Sequence, residues 1–263
     1  MRNLRAMFST LFLFTSFSSF AWWGLNGHRI VGEIADSYLS KKARTAVYEI
    51  LGNETVAMTS NWADFIKSDS AFNYLSTWHY INVKQGLSQT EFNAVLKNDS
   101  SANAWTKLNF LIAGLKNKQL DKDKKQMYLR LLIHIVGDIH QPLHVGQLED
   151  LGGNRIRVLW FGDSTNLHSV WDEKLIESQK LSYTEYATAI NHSTTSQRIS
   201  WQAQPMSEWF YESYVLAGKV YSSVTGAVPR LGFRYSFDYT DILNKQLLKG
   251  GIRLAGLLNS IFK

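Results

Sequence analysis

The sequence predicts an all-α protein, mostly α with a short β-hairpin, folded as a single domain. Apolar residues recur at helical spacing through most of the 263 residues, whereas residues 153–162 alternate polar and apolar side chains as a strand does. No linker, internal repeat or shift in composition divides the chain. A hydrophobic content of 45% with only 3 prolines permits a sizeable core, which excludes disordered and low-complexity proteins.

The first element in order is a secretory signal peptide, predicted for residues 1–21 or 1–22. Arg2 and Arg5 give it a positive start, an apolar run begins at Leu11, and Ser19 and Ala21 supply the small residues that a signal peptidase reads. The run is too short for a membrane anchor, and no later stretch reaches the length of a membrane span. We therefore expect a secreted or periplasmic protein whose single domain covers residues 22–263.

Helices are predicted next, in order along the chain. The first begins just after His28, and the second is capped by Ser40 and ended by Gly52. Ser88 and Glu91 form a capping box that opens another helix. Further helices are expected at 103–116, 122–140, 165–177, 182–192, 205–224 and 238–261.

The helix at 122–140 is so apolar that we expect burial on most of its faces. It nevertheless carries His134 and Asp138, which are four residues apart and so project from one face. His168 and Asp172 repeat this spacing. A buried imidazole and carboxylate this close are costly unless they pair with each other or bind a metal, and one pair alone fits either explanation equally.

The chain has no cysteine, so any metal must be held by histidine, carboxylate or main-chain atoms. Several of these residues lie in apolar or aromatic surroundings, which are unusual for solvated groups. The eight candidates are His28, Asp64, His79, His134, Asp138, His144, His168 and Asp172. Eight ligands are too many for one zinc ion and would serve two or three. A donor set of histidine and carboxylate without cysteine suits catalytic zinc, which keeps open positions for water and substrate.

With these residues in view, the chain resembles the zinc-dependent S1/P1 nuclease family. The strings HIVGDIHQPLH at 134–144 and NLHSVWD at 166–172 are the most specific matches. The matching segments run in the family's order at residues 23–28, 62–64, 79–80, 134–144, 152–154 and 166–172. The resemblance implies a helical zinc-nuclease/phospholipase C-like fold around three zinc ions.

The resemblance also implies the ligands of the three ions and a bridging role for Asp138. In order, they are Asp64, His79, His134 and Asp138; Trp23, His28 and Asp138; and His144, His168 and Asp172. Trp23 would bind through its amino and carbonyl groups, which requires it to be the mature N-terminus. The small-residue rule instead favours cleavage after Ala21, which would leave Trp22 in front, and the sequence leaves both sites open.

Members of the family hydrolyse single-stranded DNA and RNA, and usually 3′-nucleotides, to 5′-phosphorylated products. The chemistry is physically sound, because two close metals can lower the pKa of a shared water to give a hydroxide nucleophile. Asp64 and Asp138 would be catalytic by holding those metals. Lys67 lies one helical turn after Asp64 and would stabilise charge at the phosphate, unless it is an ordinary solvated lysine.

Three further residues are predicted to bind substrate. Tyr80 would stack on a nucleobase, the alternative being a core tyrosine. Asn82 would hydrogen-bond a base edge, and Asn154 would line the cleft, although a Gly-Gly-Asn string is equally a turn. The formal net charge of +6 would suit an anionic partner such as nucleic acid, but many inert surfaces share it. We expect a monomer with single-stranded DNA, RNA and nucleotides as its substrates.

Two other functions compete with this one. A zinc phospholipase C has a related metal cluster, but the short Trp23-to-His28 spacing, Asp172 as the last ligand and Tyr80 beside His79 favour the nuclease. The other is a non-catalytic module that binds metal or nucleic acid. Such a module would need no open coordination position and should bind nucleic acid after chelation.

Overall fold

Helices make up most of the computed structural model, which describes residues 24–263, and the predicted mostly-α class is confirmed. The predicted signal peptide and Trp23 lie outside the described residues. The α-helices are α1 (Leu25–Ser37), α2 (Lys41–Leu51), α3 (Val56–Thr59), α4 (Trp62–Phe65), α5 (Gln89–Asn98), α6 (Ala104–Lys116), α7 (Lys122–Asp138), α8 (Leu167–Ser169), α9 (Leu175–Glu177), α10 (Tyr183–Ile190), α11 (Thr195–Ala203), α12 (Met206–Ser222) and α13 (Phe233–Ile261).

Tighter and wider turns connect some of these helices, and one small sheet accompanies them. The 3-10 helices are Ile66–Ser68, Ser70–His79 and Pro142–Val145, and a π-helix spans Val170–Lys174. The strands are β1 (Arg157–Trp160), β2 (Asp163–Asn166) and β3 (Arg230–Leu231). Strand β1 lies between the other two, antiparallel to β2 and parallel to β3. The predicted hairpin is therefore confirmed, with β3 as an addition.

Local hydrogen bonds account for the helix ends that the sequence predicted. The Ser40 side chain accepts from the Ala43 N–H at the start of α2, and Gly52 ends that helix with φ at 72°. Ser88 and Glu91 form the predicted capping box of α5. Helix α1 differs, because it begins at Leu25 and contains His28 in its first turns.

Two predictions in the second half of the chain were wrong in detail. Residues 165–166 belong to β2, because Asn166 pairs with Arg157 of β1, and the helix begins only after Asn166, whose side chain caps α8. Helix α11 was missed: its described residues include no buried side chain, so it lacks the apolar stripe that reveals a helix. A Thr194–Gln197 capping box opens it instead.

The core surrounds the C-terminal half of α7. Its residues from Leu131 to Asp138 are all buried, as the apolar run predicted. Helices α1, α6 and α13 pack against α7, and α1 also packs along α13. This arrangement places the end of α7 at the centre of the molecule. Within residues 24–263, no helix combines the length and the apolar composition needed to cross a membrane.

Candidate metal centre

The last turn of α7 supplies the first two side chains of the site. His134 and Asp138 are completely buried, and their Nε2 and Oδ2 atoms are 3.1 Å apart. Helix α1 brings His28 to the same place, with its Nε2 at 3.4 Å from Oδ1 of Asp138. The rings of His28 and His134 stack with their centroids 3.8 Å apart. Packing of α1 on α7 thus joins residues that are more than one hundred positions apart in the chain.

Asp64 and His79 complete this part of the site. Asp64, on α4, places its Oδ1 at 3.4 Å from Nε2 of His134 and its Oδ2 at 3.9 Å from Nε2 of His28. Nδ1 of His79 lies 2.8 Å from Oδ2 of Asp138 and 2.9 Å from Nε2 of His134. These residues form two overlapping groups that could each hold a metal. One is His28, Asp64 and His134, and the other is His79, His134 and Asp138.

A third group lies beside them. The chain turns at Pro142 after α7 and brings His144 back towards the π-helix, where Nε2 of His144 is 3.4 Å from Oδ1 of Asp172. Nε2 of His168 is 3.0 Å from Oδ2 of the same carboxylate. These three residues form the third group that could hold a metal, and Nδ1 of His144 is 3.5 Å from Oδ1 of Asp138.

Main-chain carbonyls orient three of the imidazoles. Nδ1 of His134 donates to the Ser60 carbonyl at 2.6 Å, Nδ1 of His144 to the His79 carbonyl at 2.8 Å, and Nδ1 of His168 to the Gly152 carbonyl at 2.6 Å. Because a carbonyl can only accept, the proton of each neutral ring sits on Nδ1. The Nε2 lone pair therefore faces the cluster, as a metal ligand requires.

The Gly152-Gly153-Asn154 string is the turn that orients His168. Gly152 has φ at +63°, and a Cβ there would lie 2.5 Å from the Leu143 carbonyl oxygen, so only glycine fits. The Asn154 amide donates to the Leu151 carbonyl at 2.9 Å, within the same loop. The structural alternative stated for this string is therefore present, and contact of Asn154 with substrate stays a prediction.

Sequence reasoning missed Gln141, which supports Asp172. Gln141 is completely buried, its Nε2 donates to Oδ1 of Asp172 at 2.5 Å, and its Oε1 accepts from the Leu143 N–H. The amide thus fixes the rotation of the carboxylate that faces His144 and His168. The only available signal was the position of Gln141 inside the string 134–144, which does not indicate a contact with residue 172.

The buried carboxylates and imidazoles shift one another's pKa. Burial alone would raise the pKa of Asp172, but His168 and His144 outweigh it and lower the pKa to about 2. Burial would lower the pKa of His144, but Asp138 and Asp172 outweigh it and raise the pKa to about 9. For Asp138, His134 and His144 overcome burial and hold the pKa well below its usual range. The carboxylates are therefore ionised, and a bound cation would take the place of imidazole protons.

The remaining predicted residues surround this cluster. Nζ of Lys67 lies 2.8 Å from Oδ1 of Asp64, so the two face one site as predicted, and burial lowers the pKa of Lys67 to about 8 although Asp64 opposes the change. Tyr80 follows His79 and is 36% exposed, so it is not a core tyrosine. Asn82 is half-buried on the next stretch of chain. The structure thus brings together every predicted ligand that it describes.

Comparisons with known proteins agree with this geometry. The family model for S1/P1 Nuclease matches residues 23–263. The chain is 31% identical to Endonuclease 3 of Arabidopsis thaliana over 91% of this chain and 89% of that protein, and 30% identical to Endonuclease 4 of the same plant over 99% and 96%. It is 29% identical to Nuclease P1 of Penicillium citrinum over 91% of this chain and 97% of that protein. The chain therefore belongs to the S1/P1 nuclease family.

Proposed function

We propose that this nuclease is a zinc-dependent phosphodiesterase that hydrolyses single-stranded DNA and RNA, and 3′-nucleotides, to 5′-phosphorylated products. Membership of the family makes the chain a hydrolase of phosphodiester bonds. The observation that carries the finer proposal is the convergence of three groups of buried histidine and aspartate in a chain without cysteine. Nuclease P1 of Penicillium citrinum, whose name gives a nuclease activity, matches over most of its length.

The donor geometry fits zinc. Two ligands held about 2.0–2.2 Å from one tetrahedral ion lie about 3.3–3.6 Å from each other. The corresponding distances are 3.4 Å for His28 to Asp138, 3.4 Å for His144 to Asp172 and 3.0 Å for His168 to Asp172. Oδ1 of Asp138, Oδ2 of Asp172 and Nε2 of His144 are buried and have no hydrogen-bond partner among residues 24–263. Buried lone pairs that lie close together without hydrogen-bond partners are suited to share a cation.

Three ions would be divided among these donors as the family resemblance implies. Asp138 supports the bridging role, because its Oδ2 faces His79 and His134 while its Oδ1 faces His28. Asp64 lies between His134 and His28, so it could serve either ion of the pair. The third ion would be held by the remaining group, His144, His168 and Asp172.

When bound, the ions would supply a water of lowered pKa and positive charge at the phosphate. The side chains of the protein would bind and orient the substrate. Lys67 holds Asp64 in place and adds a positive charge at the edge of the cluster, where the phosphate oxygens would lie. Tyr80, exposed next to His79, offers a ring face to a nucleobase, and Asn82 and Asn154 offer amides to the strand.

Export and the mature N-terminus belong to the same proposal. Cleavage that leaves Trp23 first would give the second ion the amino and carbonyl ligands that the resemblance assigns to it. The signal peptide would also direct the chain across the membrane, out of the cytoplasm, before it is removed. N-terminal sequencing of the exported protein, with metal analysis of the same sample, tests both points, and we expect Trp23 and three zinc ions per chain.

The deciding experiment offers the purified protein single-stranded DNA, RNA, a 3′-nucleotide and phosphatidylcholine side by side. We expect hydrolysis of the three nucleotide substrates and none of the lipid. Lipid cleavage without nucleotide cleavage would establish the phospholipase C alternative. Nucleic acid binding without any hydrolysis, persisting after chelation, would establish the non-catalytic module.

A substitution of Tyr80 tests its contact with substrate. Base stacking on an aromatic ring contributes about 1–3 kcal/mol, so Tyr80→Ala should lower kcat/KM on single-stranded DNA by roughly 5- to 150-fold. The zinc content should not change, because the ring itself holds no metal. Unchanged kinetics with full zinc content would mean that Tyr80 does not touch the substrate.

A further inference from the structure

A surface cleft lies beside the cluster of histidines and aspartates and has no role in the function proposed above. It is a cleft of about 510 Å³ whose walls come from the first turn of α1, from α3 and from α4. We call it the aromatic cleft; it is lined chiefly by Leu25, Met58, Asn61, Trp62, Asp64 and Phe65. Because Asp64 both lines this cleft and lies 3.4 Å from His134, the cleft opens directly beside the proposed ions.

The walls of the aromatic cleft expose large apolar side chains. Phe65 is 76% exposed, and Leu25 and Met58 are exposed as well. The ring of Trp62 has the guanidinium of Arg130 at 5.4 Å from its centroid and makes a T-shaped contact with Phe72. Apolar side chains clustered in a concavity beside a catalytic centre are typical of a ligand site.

Asn61 adds a polar group without a partner. Only 8% of the residue is exposed, and neither its amide nitrogen nor its amide oxygen has a hydrogen-bond partner among residues 24–263. Leaving a buried amide unsatisfied is costly, so such a group in a ligand-sized cleft indicates that a ligand completes it. An amide presents one donor and one acceptor side by side, which matches the edge of a nucleobase, adenine above all.

The two carboxylates that line the cleft are both paired with cations, Asp64 with Lys67 at 2.8 Å, so the charge of Arg29 favours an anionic ligand. Glu54 is neutralised by Arg130 at 2.9 Å and also accepts from the Thr59 hydroxyl. Arg29 lines the same cleft, and its buried Nε has no hydrogen-bond partner among the described residues. A ring face, an amide and a guanidinium together match a base and its phosphate.

We propose that the aromatic cleft is a nucleotide subsite for the substrate strand, next to the phosphodiester bond that is cleaved. The base lies against Phe65 and Trp62 with its edge on the Asn61 amide, and Arg29 faces the next phosphate. This inference rests on the proposed nuclease function. Tyr80 is not among the residues that line the cleft, so the strand has base contacts at two separate places around the metal cluster.

The test measures binding separately from cleavage. A short single-stranded adenine oligonucleotide with non-cleavable phosphonate linkages is titrated into the zinc-loaded protein by calorimetry. Phe65→Ala and Asn61→Leu should each weaken binding about 5- to 50-fold. The matched control is Phe237→Ala, whose ring is 78% exposed on α13, and its affinity should equal that of the wild type.

Two further arms make the outcome decisive. Asn61→Leu should also remove the preference for adenine over thymine oligonucleotides, whereas Phe65→Ala should weaken both. Wild-type affinity in both variants, or an equal loss with an abasic oligonucleotide, would overturn the subsite. Cleavage of single-stranded DNA by the wild type is measured in parallel. Its absence would exclude the nuclease function. Normal cleavage, together with wild-type oligonucleotide affinity in both variants, would exclude only the subsite.

Discussion

Asp138 is the residue on which the proposed centre depends most. Its Oδ2 lies 2.8 Å from His79 and 3.1 Å from His134, and its Oδ1 lies 3.4 Å from His28. A single carboxylate thus faces imidazoles of two different groups. A neutral amide of the same shape offers only one oxygen as a ligand. Ions on both sides of this position would therefore require a carboxylate.

The first prediction concerns Asp138→Asn. Asparagine keeps the shape but replaces one ligand oxygen with an NH2 group that cannot bind a cation. We expect at least one zinc ion fewer per chain by elemental analysis, and hydrolysis of single-stranded DNA lowered by more than about 100-fold. Asp241→Asn, on the exposed side of α13, is the control and should keep full metal content and activity. Full zinc content in Asp138→Asn would refute the bridging role.

The second prediction concerns Gln141, which holds Asp172 through a 2.5 Å hydrogen bond. Side chains that orient a ligand contribute about 10- to 100-fold to metal affinity. Gln141→Leu should therefore weaken the binding of one zinc ion by that factor in a chelator competition, and leave the other ions tightly bound. Gln126→Leu removes a hydrogen bond to the Ile50 carbonyl between α7 and α2 and should change no zinc affinity. Equal weakening of every ion would mean that Gln141 acts on the fold and not on Asp172.

At the scale of elements, α12 and α13 fix the chain just beyond the last turn of α7, which carries His134 and Asp138. Nη1 of buried Arg253 donates to Nε2 of His140 at 3.0 Å, and its Nη2 contacts Glu212 at 2.8 Å. Lys249 also bonds Glu212. Burial and Arg253 lower the pKa of His140 to about 3, so the ring stays a neutral acceptor. This network anchors His140, two residues after Asp138, to the last helix.

The third prediction concerns the charge of Glu212. Burial would raise its pKa, but Arg253 and Lys249 outweigh burial, so folding lowers the pKa below its ordinary value of 4.5. The carboxylate therefore stabilises the fold above pH 4.5, and this stability is lost as the pH falls through the folded pKa.

Glu212→Gln tests this linkage by denaturant unfolding at several pH values. We expect about 1–3 kcal/mol lower free energy of unfolding at pH 7, discounted because part of the side chain is exposed. The difference from wild type should shrink at low pH, where the wild-type carboxyl is also neutral. Glu49→Gln, exposed on α2, should show no such trend. A difference that does not vary with pH would exclude the ion pair as its cause.

At the scale of the whole molecule, the proposed ions would join elements that are far apart in the chain. Ligands come from α1, α4, α7, two 3-10 helices, α8 and the π-helix, between residues 28 and 172. No disulfide can perform this task, because the chain has no cysteine. Ions that bind only the folded state add their binding free energy to its stability.

The fourth prediction follows from that linkage. Exhaustive chelation should lower the Tm by more than about 10 °C and abolish hydrolysis, and added zinc should restore both. Differential scanning calorimetry with a parallel activity assay measures the two effects. A chelated Asp138→Asn variant serves as the control and should lose less Tm than the wild type, since it starts with fewer ions. Activity that survives complete removal of metal would exclude the zinc mechanism.

The sequence by itself determined the features that depend on near neighbours. Ser40 and Ser88 begin helices, and Gly52 ends one, through bonds within four residues. His134 and Asp138 share a face because of helical periodicity. The specific strings around His134 and His168 by themselves indicate the family. Local chemistry thus determined the class of fold and the choice of candidate ligands.

Only the tertiary structure decided how these parts meet. Residues 165–166 were predicted as helix but form a strand because they pair with β1. The packing of α1 and α4 on α7 brings Asp64 to His134. The hydrogen bond from Gln141 to Asp172 and the unsatisfied amide of Asn61 could not be predicted from the sequence either. All of these features have the same physical reason. Each depends on the presence or absence of a contact between groups that are distant in sequence, and no local spacing predicts such a contact.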